Sequence, residues 1–170
     1  MNSTARYSTQ LITGIVSLTI GAAVYLLFRP DEPAYFLKYL SRNFQYLPKI
    51  HSRNFIIGSF PTFSHAFAMP LISMGLLRLE KPGAAGMCIF WVWLNLCFEA
   101  GQYFKKISVS MIPQIFESIP VLENMNDYFL NGQFDIADCL SILMGGGLAY
   151  WVISRTMPKP NMESAGSIIS

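Results

Sequence analysis

The sequence predicts an all-α membrane protein with four transmembrane helices and two amphipathic interfacial loop segments on one side. Three observations support this fold class. Hydrophobic residues make up 52% of the 170 residues, and the mean hydropathy is +0.38. Charged residues make up only 13%, about half the share found in soluble domains. The apolar residues are gathered into four blocks separated by charged or proline-containing segments.

The four blocks are long enough to be membrane helices. They cover about residues 11–28, 56–77, 84–104 and 134–153. Because a helix rises 1.5 Å per residue, about 20 residues cross a hydrocarbon core of about 30 Å. The first block is longer than a signal-peptide core, so we expect it to remain as an uncleaved span.

The loops between blocks one and two and between blocks three and four are long and amphipathic. In residues 29–54 the apolar side chains recur at helical spacing, which is typical of a helix lying in the membrane interface. These side chains are Phe36, Leu40, Phe44 and Leu47. Residues 107–133 are too apolar for a solvated linker, so we expect them to lie on or dip into the membrane surface. We predict a single domain over residues 1–157 and a disordered polar tail over 158–170.

An even number of spans places both termini on the same side of the cell membrane. The side with the termini carries five Lys or Arg residues and the other side seven, a weak indication that the long loops are cytoplasmic. The net charge of +2 is too small and scattered for nucleic-acid binding. Three cysteines lie in apolar runs without CxxC spacing, which favours buried side chains over disulfides or a zinc site.

Polar side chains inside three of the blocks are the candidate functional residues. They are His65, Asn95, Glu99, Gln102, Asp135 and Asp138. An ionisable group in a span costs roughly 2.5–3.5 kcal/mol, so each needs a reason. Pro61 can open a helix, which would place His65 about one turn inside the second span. On that basis we expect His65, Glu99, Gln102 and Asp138 to share a depth, forming one polar pocket roofed by the long loops.

Structural interpretations compete with this one. Asp135 can stabilise a helix N-terminus, Asn95 can join two helices, and a lone membrane histidine is often a packing residue. We predict that Gly145, Gly146 and Gly147 serve close helix packing.

Three segments of the chain resemble the VanZ-like family of small bacterial membrane proteins. Residues 61–65 (PTFSH) are similar to its histidine-containing span. Residues 98–102 (FEAGQ) are similar to its E-x-x-Q segment, and residues 134–138 (FDIAD), with Gly145, to its F-D-x-x-D-x6-G segment. The resemblance covers roughly residues 55–150. Where the family usually has a basic residue and an asparagine, this chain has Gly132 and Ile142.

The resemblance implies a cell-envelope membrane protein with cytoplasmic termini and a polar cluster facing the outer leaflet. One branch of the family is linked to teicoplanin resistance, a form of antibiotic resistance. The resemblance implies a location more than a reaction, because no reaction is established across the family.

Three hypotheses for function remain open on the sequence. The first is a binding protein whose ligand is an amphiphile: a membrane lipid headgroup, a lipid-linked wall precursor or a lipophilic glycopeptide antibiotic. His65, Glu99, Gln102, Asp135 and Asp138 would bind it. The second is an intramembrane hydrolase or transferase in which His65, Glu99 and Asp138 act as acid and base or hold a divalent cation. The third is an accessory subunit of a homo-oligomer or larger membrane complex.

Overall fold

The computed structural model of the protein describes residues 3–28, 55–119 and 122–157. Every regular element in those ranges is helical. The helices are α1 (Ser3–Phe28), α2 (Phe55–Leu77), α3 (Lys81–Tyr103), α4 (Lys105–Met111), α5 (Met125–Asn131) and α6 (Ile136–Thr156). α1, α2, α3 and α6 are each long and apolar enough to cross a membrane. The prediction of an all-α chain with four such helices is therefore confirmed.

Of the two predicted interfacial segments, the structure describes only the second in detail. Residues 29–54 lie outside the described residues, as does the predicted tail over 158–170. Residues 107–133 contain most of α4, the 3-10 turns Gln114–Ser118 and Leu122–Asn124, and α5. α4 buries none of its side chains, whereas α5 buries Phe129. The second segment is therefore a series of short helices, and α5 is packed onto the bundle.

α2 is the central helix and packs against α1, α3 and α6. Its contact with α1 depends on glycines that allow the two backbones to approach closely. A Cβ atom added to Gly14 would lie 2.9 Å from the carbonyl oxygen of Ala68. A Cβ atom added to Gly75 would lie 2.9 Å from the carbonyl oxygen of Tyr7. No side chain fits at either position unless the helices separate.

α6 uses two of its three consecutive glycines to pack against neighbouring helices. A Cβ atom on Gly145 would lie 2.6 Å from the Phe63 carbonyl oxygen in α2. A Cβ atom on Gly146 would lie 2.1 Å from a methyl carbon of Val92 in α3. Nothing lies within 4 Å of such an atom on Gly147. The predicted packing role thus fits Gly145 and Gly146, while Gly147 is exposed and takes no part in it.

The start of α2 differs from the expectation that Pro61 opens the helix. α2 begins at Phe55 and contains both Pro61 and Pro70. Proline is tolerated inside such helices because neighbouring helices and hydroxyl side chains pair the freed backbone groups. His65 is consequently the eleventh residue of α2, about 15 Å from its start at 1.5 Å per residue, and does not lie in the first turns.

The bundle has two distinct ends. At one end the Gln10 side chain of α1 donates a hydrogen bond to the Thr156 hydroxyl of α6 (2.8 Å). Tyr7 donates to the Leu79 carbonyl in the α2–α3 turn at 3.4 Å, so the start of α1, the short turn and the end of α6 lie together. α3 ends and α6 begins at the opposite end, where α4 and α5 connect them. We call this the α5 end.

Candidate functional site

Four polar side chains from three helices meet at the α5 end. Glu99 and Gln102 are the buried polar residues of α3, and Asp138 lies in the first turn of α6. Each is less than a tenth exposed. Tyr128 of α5 is the fourth member. We call Glu99, Gln102, Tyr128 and Asp138 the acidic cluster.

α5 is held over the cluster by aromatic packing. Phe129 is buried, and its ring is stacked on that of Phe98 with the centroids 5.9 Å apart. A Cβ atom on Gly101 would lie 2.3 Å from Phe129 Cε1, so this contact requires glycine on α3. Tyr128 also contacts Phe98, edge to face, at 5.9 Å. These contacts fix the position of α5 and thereby of the Tyr128 hydroxyl.

The electrostatics of Tyr128 connect the members of the cluster. Burial is the largest cause that raises the pKa of Tyr128, which reaches about 12, and the negative charge of Glu99 is the next. A hydrogen bond between the Tyr128 and Gln102 side chains opposes the rise, while Asp138 and Tyr25 of α1 add to it. The Tyr128 hydroxyl therefore lies within electrostatic range of both carboxyl groups and stays protonated near neutral pH.

Gly132, just after α5, lies directly against Gln102. A Cβ atom there would be 2.7 Å from Gln102 Cδ and 2.6 Å from the Tyr128 carbonyl oxygen. The Gln102 side chain thus occupies the space that a larger residue would need.

Asp135 has a separate role from the acidic cluster. It is the N-cap of α6, and its Oδ1 accepts a hydrogen bond of 2.8 Å from the backbone N–H of Ala137. An N-cap carboxylate satisfies a helix N–H and interacts favourably with the helix dipole. Asp135 is also exposed. Its geometry accounts for it as a cap, and its assignment as a ligand-binding residue stays a prediction.

The structure places His65 in a second polar layer. His65 Nδ1 and Asn95 Oδ1 are 3.0 Å apart. Asn95 Nδ2 donates to the Trp91 carbonyl at 2.7 Å, and Trp91 Nε1 donates to the Ser73 hydroxyl at 2.9 Å. We call His65, Asn95, Trp91 and Ser73 the histidine layer. Asn95 precedes Glu99 by four residues, so this layer lies about 6 Å further into the bundle, and the expectation that His65 shares the depth of Glu99 is wrong.

The predicted metal ligands do not come together as a ligand set. Within residues 3–28, 55–119 and 122–157, no group of three or more His, Cys, Asp or Glu side chains is placed to hold a metal ion. That part of the chain includes His65, Glu99 and Asp138. All three cysteines are free thiols; Cys88 is buried as expected, whereas Cys97 is exposed on α3.

Tyr128 is the residue that the sequence analysis missed. Its segment looked like a membrane-surface loop, and no periodic pattern marked α5 as part of the bundle. The local signal was the aromatic pair Tyr128–Phe129, placed shortly before Gly132. An aromatic pair followed by a glycine is typical of a short helix that packs its aromatic side chains on a neighbouring element and ends at the glycine.

Comparison of the chain with protein-family models, curated proteins and solved structures found no match. The likeness to the VanZ-like family therefore rests on the three short segments alone. Function is argued below from the residues of the α5 end.

Proposed function

We propose that the protein is a VanZ-like multi-pass membrane protein of the cell envelope that binds the headgroup of an amphiphile at the acidic cluster. The observation that carries this proposal is the convergence of Glu99, Gln102 and Asp138, all buried, with Tyr128 at one end of the four-helix bundle. Polar groups are expensive in a membrane interior and mark functional sites there. At the end of the spans they lie at the depth of lipid headgroups.

The chemistry of the cluster favours a ligand with an amino group. Two carboxyl groups attract a cation, while the Gln102 amide and the Tyr128 hydroxyl offer neutral donors and acceptors. Phe98 and Phe129 border the cluster with apolar surface. An amphiphile with a cationic headgroup matches both the polar and the apolar part. A lipid headgroup, a lipid-linked wall precursor and a lipophilic glycopeptide antibiotic all belong to this class.

Binding is favoured over catalysis because the histidine lies apart from the carboxyl groups. A general acid or base must be within hydrogen-bond reach of the reacting group. His65 Nδ1 pairs with Asn95 in the deeper layer, which favours a packing role for His65 over a shared catalytic role with Glu99 and Asp138. The acidic cluster by itself can orient and hold a headgroup.

The proposal is tested by native mass spectrometry on protein purified gently from its membrane. Wild type is compared with Glu99→Gln and Asp138→Asn, which remove one negative charge each and keep the shape of the side chain. Asp135→Asn is the matched control, since it removes the same charge from an exposed helix cap at the same end. Phosphatidylethanolamine and phosphatidylglycerol in equal amounts serve as amino and non-amino probes.

We expect wild type and Asp135→Asn each to retain one amino-bearing amphiphile. In the two cluster variants the occupancy should fall at least tenfold while the protein stays folded. Equal occupancy by the amino probe in all four proteins, or a loss in the two cluster variants that is as large for the non-amino probe, would refute the proposal. The same spectra give the mass of the assembly and so show whether the chain is a subunit of an oligomer.

A further inference from the structure

A second surface at the α5 end has the opposite charge. Where α3 passes into α4, the chain forms an open depression of about 410 Å³. It is lined by Tyr103, Phe104, Lys105, Lys106 and Ile107. None of these residues belongs to the acidic cluster.

The aromatic side of the depression has the character of a membrane interface. The Tyr103 and Phe104 rings are nearly perpendicular, with centroids 4.8 Å apart, and Tyr103 also contacts Phe134 at 5.5 Å. Tyr103 is 66% and Phe104 54% exposed. Tyr103 is the last residue of the third candidate span. Exposed aromatic side chains at the end of a span typically lie among lipid headgroups and upper acyl chains.

One of the two lysines on the basic side of the depression has its ammonium group held by a hydrogen bond. Lys105 Nζ donates a hydrogen bond of 3.0 Å to the Leu130 carbonyl at the end of α5. An ammonium has three N–H donors, so two remain for a ligand. Lys106 follows directly and is exposed. Two adjacent cations at a span boundary attract phosphate groups of anionic lipids.

We infer that this depression binds the phosphate of an anionic membrane phospholipid, whose acyl chains lie along Tyr103, Phe104 and Ile107. The lysines supply the charge for the phosphate. The exposed aromatic and aliphatic surface beside them suits a lipid and gives nothing to a free phosphate ion. The inference needs the protein to lie in a membrane, yet it does not require the acidic cluster to bind anything.

The test uses the full chain in nanodiscs that contain phosphatidylglycerol and phosphatidylcholine in equal amounts. Lipid retained after transfer to detergent is counted by native mass spectrometry for wild type and Lys105→Gln/Lys106→Gln. The matched control is Arg78→Gln/Arg155→Gln, which removes two exposed positive charges from the opposite end of the bundle. Lys106→Gln alone keeps the Lys105–Leu130 hydrogen bond and so leaves α5 anchored.

We expect wild type to prefer phosphatidylglycerol. The preference should fall about thirty-fold in the double lysine variant and about fivefold in Lys106→Gln, as each lysine near a membrane surface contributes a similar factor. The arginine control should keep the preference. Equal losses in both double variants would show that the overall surface charge attracts the lipid, and would overturn the inference. An unchanged preference in the folded Lys106→Gln protein would overturn it as well.

Two further samples separate this site from free phosphate and from the acidic cluster. Inorganic phosphate in hundredfold excess should leave the bound lipid in place; its displacement would mean that the lysines hold a free anion. Glu99→Gln should retain phosphatidylglycerol as wild type does. If amphiphile binding at the acidic cluster fails while the preference for phosphatidylglycerol persists, only the proposed function is refuted. If the preference fails while the cluster still binds its amphiphile, only the present inference is refuted.

Discussion

The histidine layer and the acidic cluster both lie along α3, one helical turn apart, and they are built differently. In the histidine layer, polar groups of two antiparallel helices are joined by short hydrogen bonds from His65 through Asn95 to Trp91. In the acidic cluster, two carboxyl groups from different helices lie beneath a short helix outside the bundle core. The first arrangement joins α2 to α3. The second brings two buried carboxyl groups to one end of the bundle, where each needs a partner or a proton.

Under the proposed function, this difference means that depth in the bundle separates structural from ligand-binding polar residues. Hydrogen bonds between membrane helices contribute about 0.6 kcal/mol on average and about 1.7 kcal/mol at most, which is enough to explain the histidine layer as packing. Buried carboxyl groups need compensation, and the amino headgroup of the proposed ligand would supply it at the acidic cluster. The α5 end is therefore where binding should reside, and variants can test each half of this comparison.

The largest effect is expected where α6 packs directly against α2. Gly145→Ala places a Cβ atom 2.6 Å from the Phe63 carbonyl oxygen. Because backbone cannot move aside locally, we expect a loss of about 3 kcal/mol in the free energy of unfolding, at the upper end for overpacking. Titration with SDS in mixed micelles measures it.

Gly147→Ala is the control, since nothing lies within 4 Å of its added Cβ. Alanine in an open helix position should stabilise by about 0.5–1 kcal/mol. Similar losses in both variants would show that α6 does not pack as described.

The next prediction separates the two layers directly. His65→Ala removes the hydrogen bond to Asn95 and the edge contact with Trp91. We expect it to lower the free energy of unfolding by about 1–2 kcal/mol and leave amphiphile occupancy unchanged. Glu99→Gln should do the opposite, losing occupancy while stability holds or rises. Both quantities come from the same protein samples. Loss of ligand in folded His65→Ala would merge the layers into one site and contradict the comparison.

The four long apolar helices could be predicted from the sequence because each is a continuous run of apolar residues along the chain. A long apolar run such as residues 56–77 or 134–153 needs no partner to be recognised. The buried carboxyl groups, Glu99 and Asp138, stood out for the same reason. Both are polar residues in apolar sequence, and burial of both follows from that position.

The depth of His65 and the role of Tyr128 could not be predicted, because both depend on tertiary contacts. Pro61 looked like a helix start, yet packing against α1 and α6 allows α2 to continue through it. Tyr128 is brought to the cluster by Phe129 docking on Gly101, a contact between residues 28 positions apart. The sequence pattern around Pro61 or Tyr128 carries no information on these contacts with distant residues.

A smaller effect is expected at Gly132, which tests whether the cluster needs Gln102 in place. Its backbone φ of −63° suits any residue, so the effect of Gly132→Ala is steric, against the Tyr128 carbonyl oxygen and the Gln102 side chain. We expect amphiphile occupancy to fall about fivefold and the free energy of unfolding by about 1 kcal/mol. Native mass spectrometry and SDS titration measure these. Gly86→Ala, in open space on α3, should leave occupancy unchanged and stabilise by about 0.5–1 kcal/mol, as expected for Gly147→Ala. An unchanged Gly132→Ala protein would mean that Gln102 is not part of the site.

The most subtle prediction concerns the proton on Tyr128. Burial, Glu99 and Asp138 raise its pKa to about 12, above the ordinary value of about 10. A raised pKa means that folding favours the protonated phenol. The stability from this group is therefore fully present below about pH 10 and is lost as pH rises through 12. Glu99→Gln should lower this pKa, although burial keeps it above 10.

Ultraviolet titration of phenolate absorbance resolves Tyr128 by subtracting the curve of Tyr128→Phe, whose fold should be nearly unperturbed. The exposed cap Asp135 is not among the causes of the shift, so Asp135→Asn should titrate as wild type does. If Glu99→Gln left the midpoint unchanged in a folded protein, Glu99 and Tyr128 would not share an environment. The α5 helix would then not cover Glu99, and the contrast between a binding end and a packing layer would lose its physical basis.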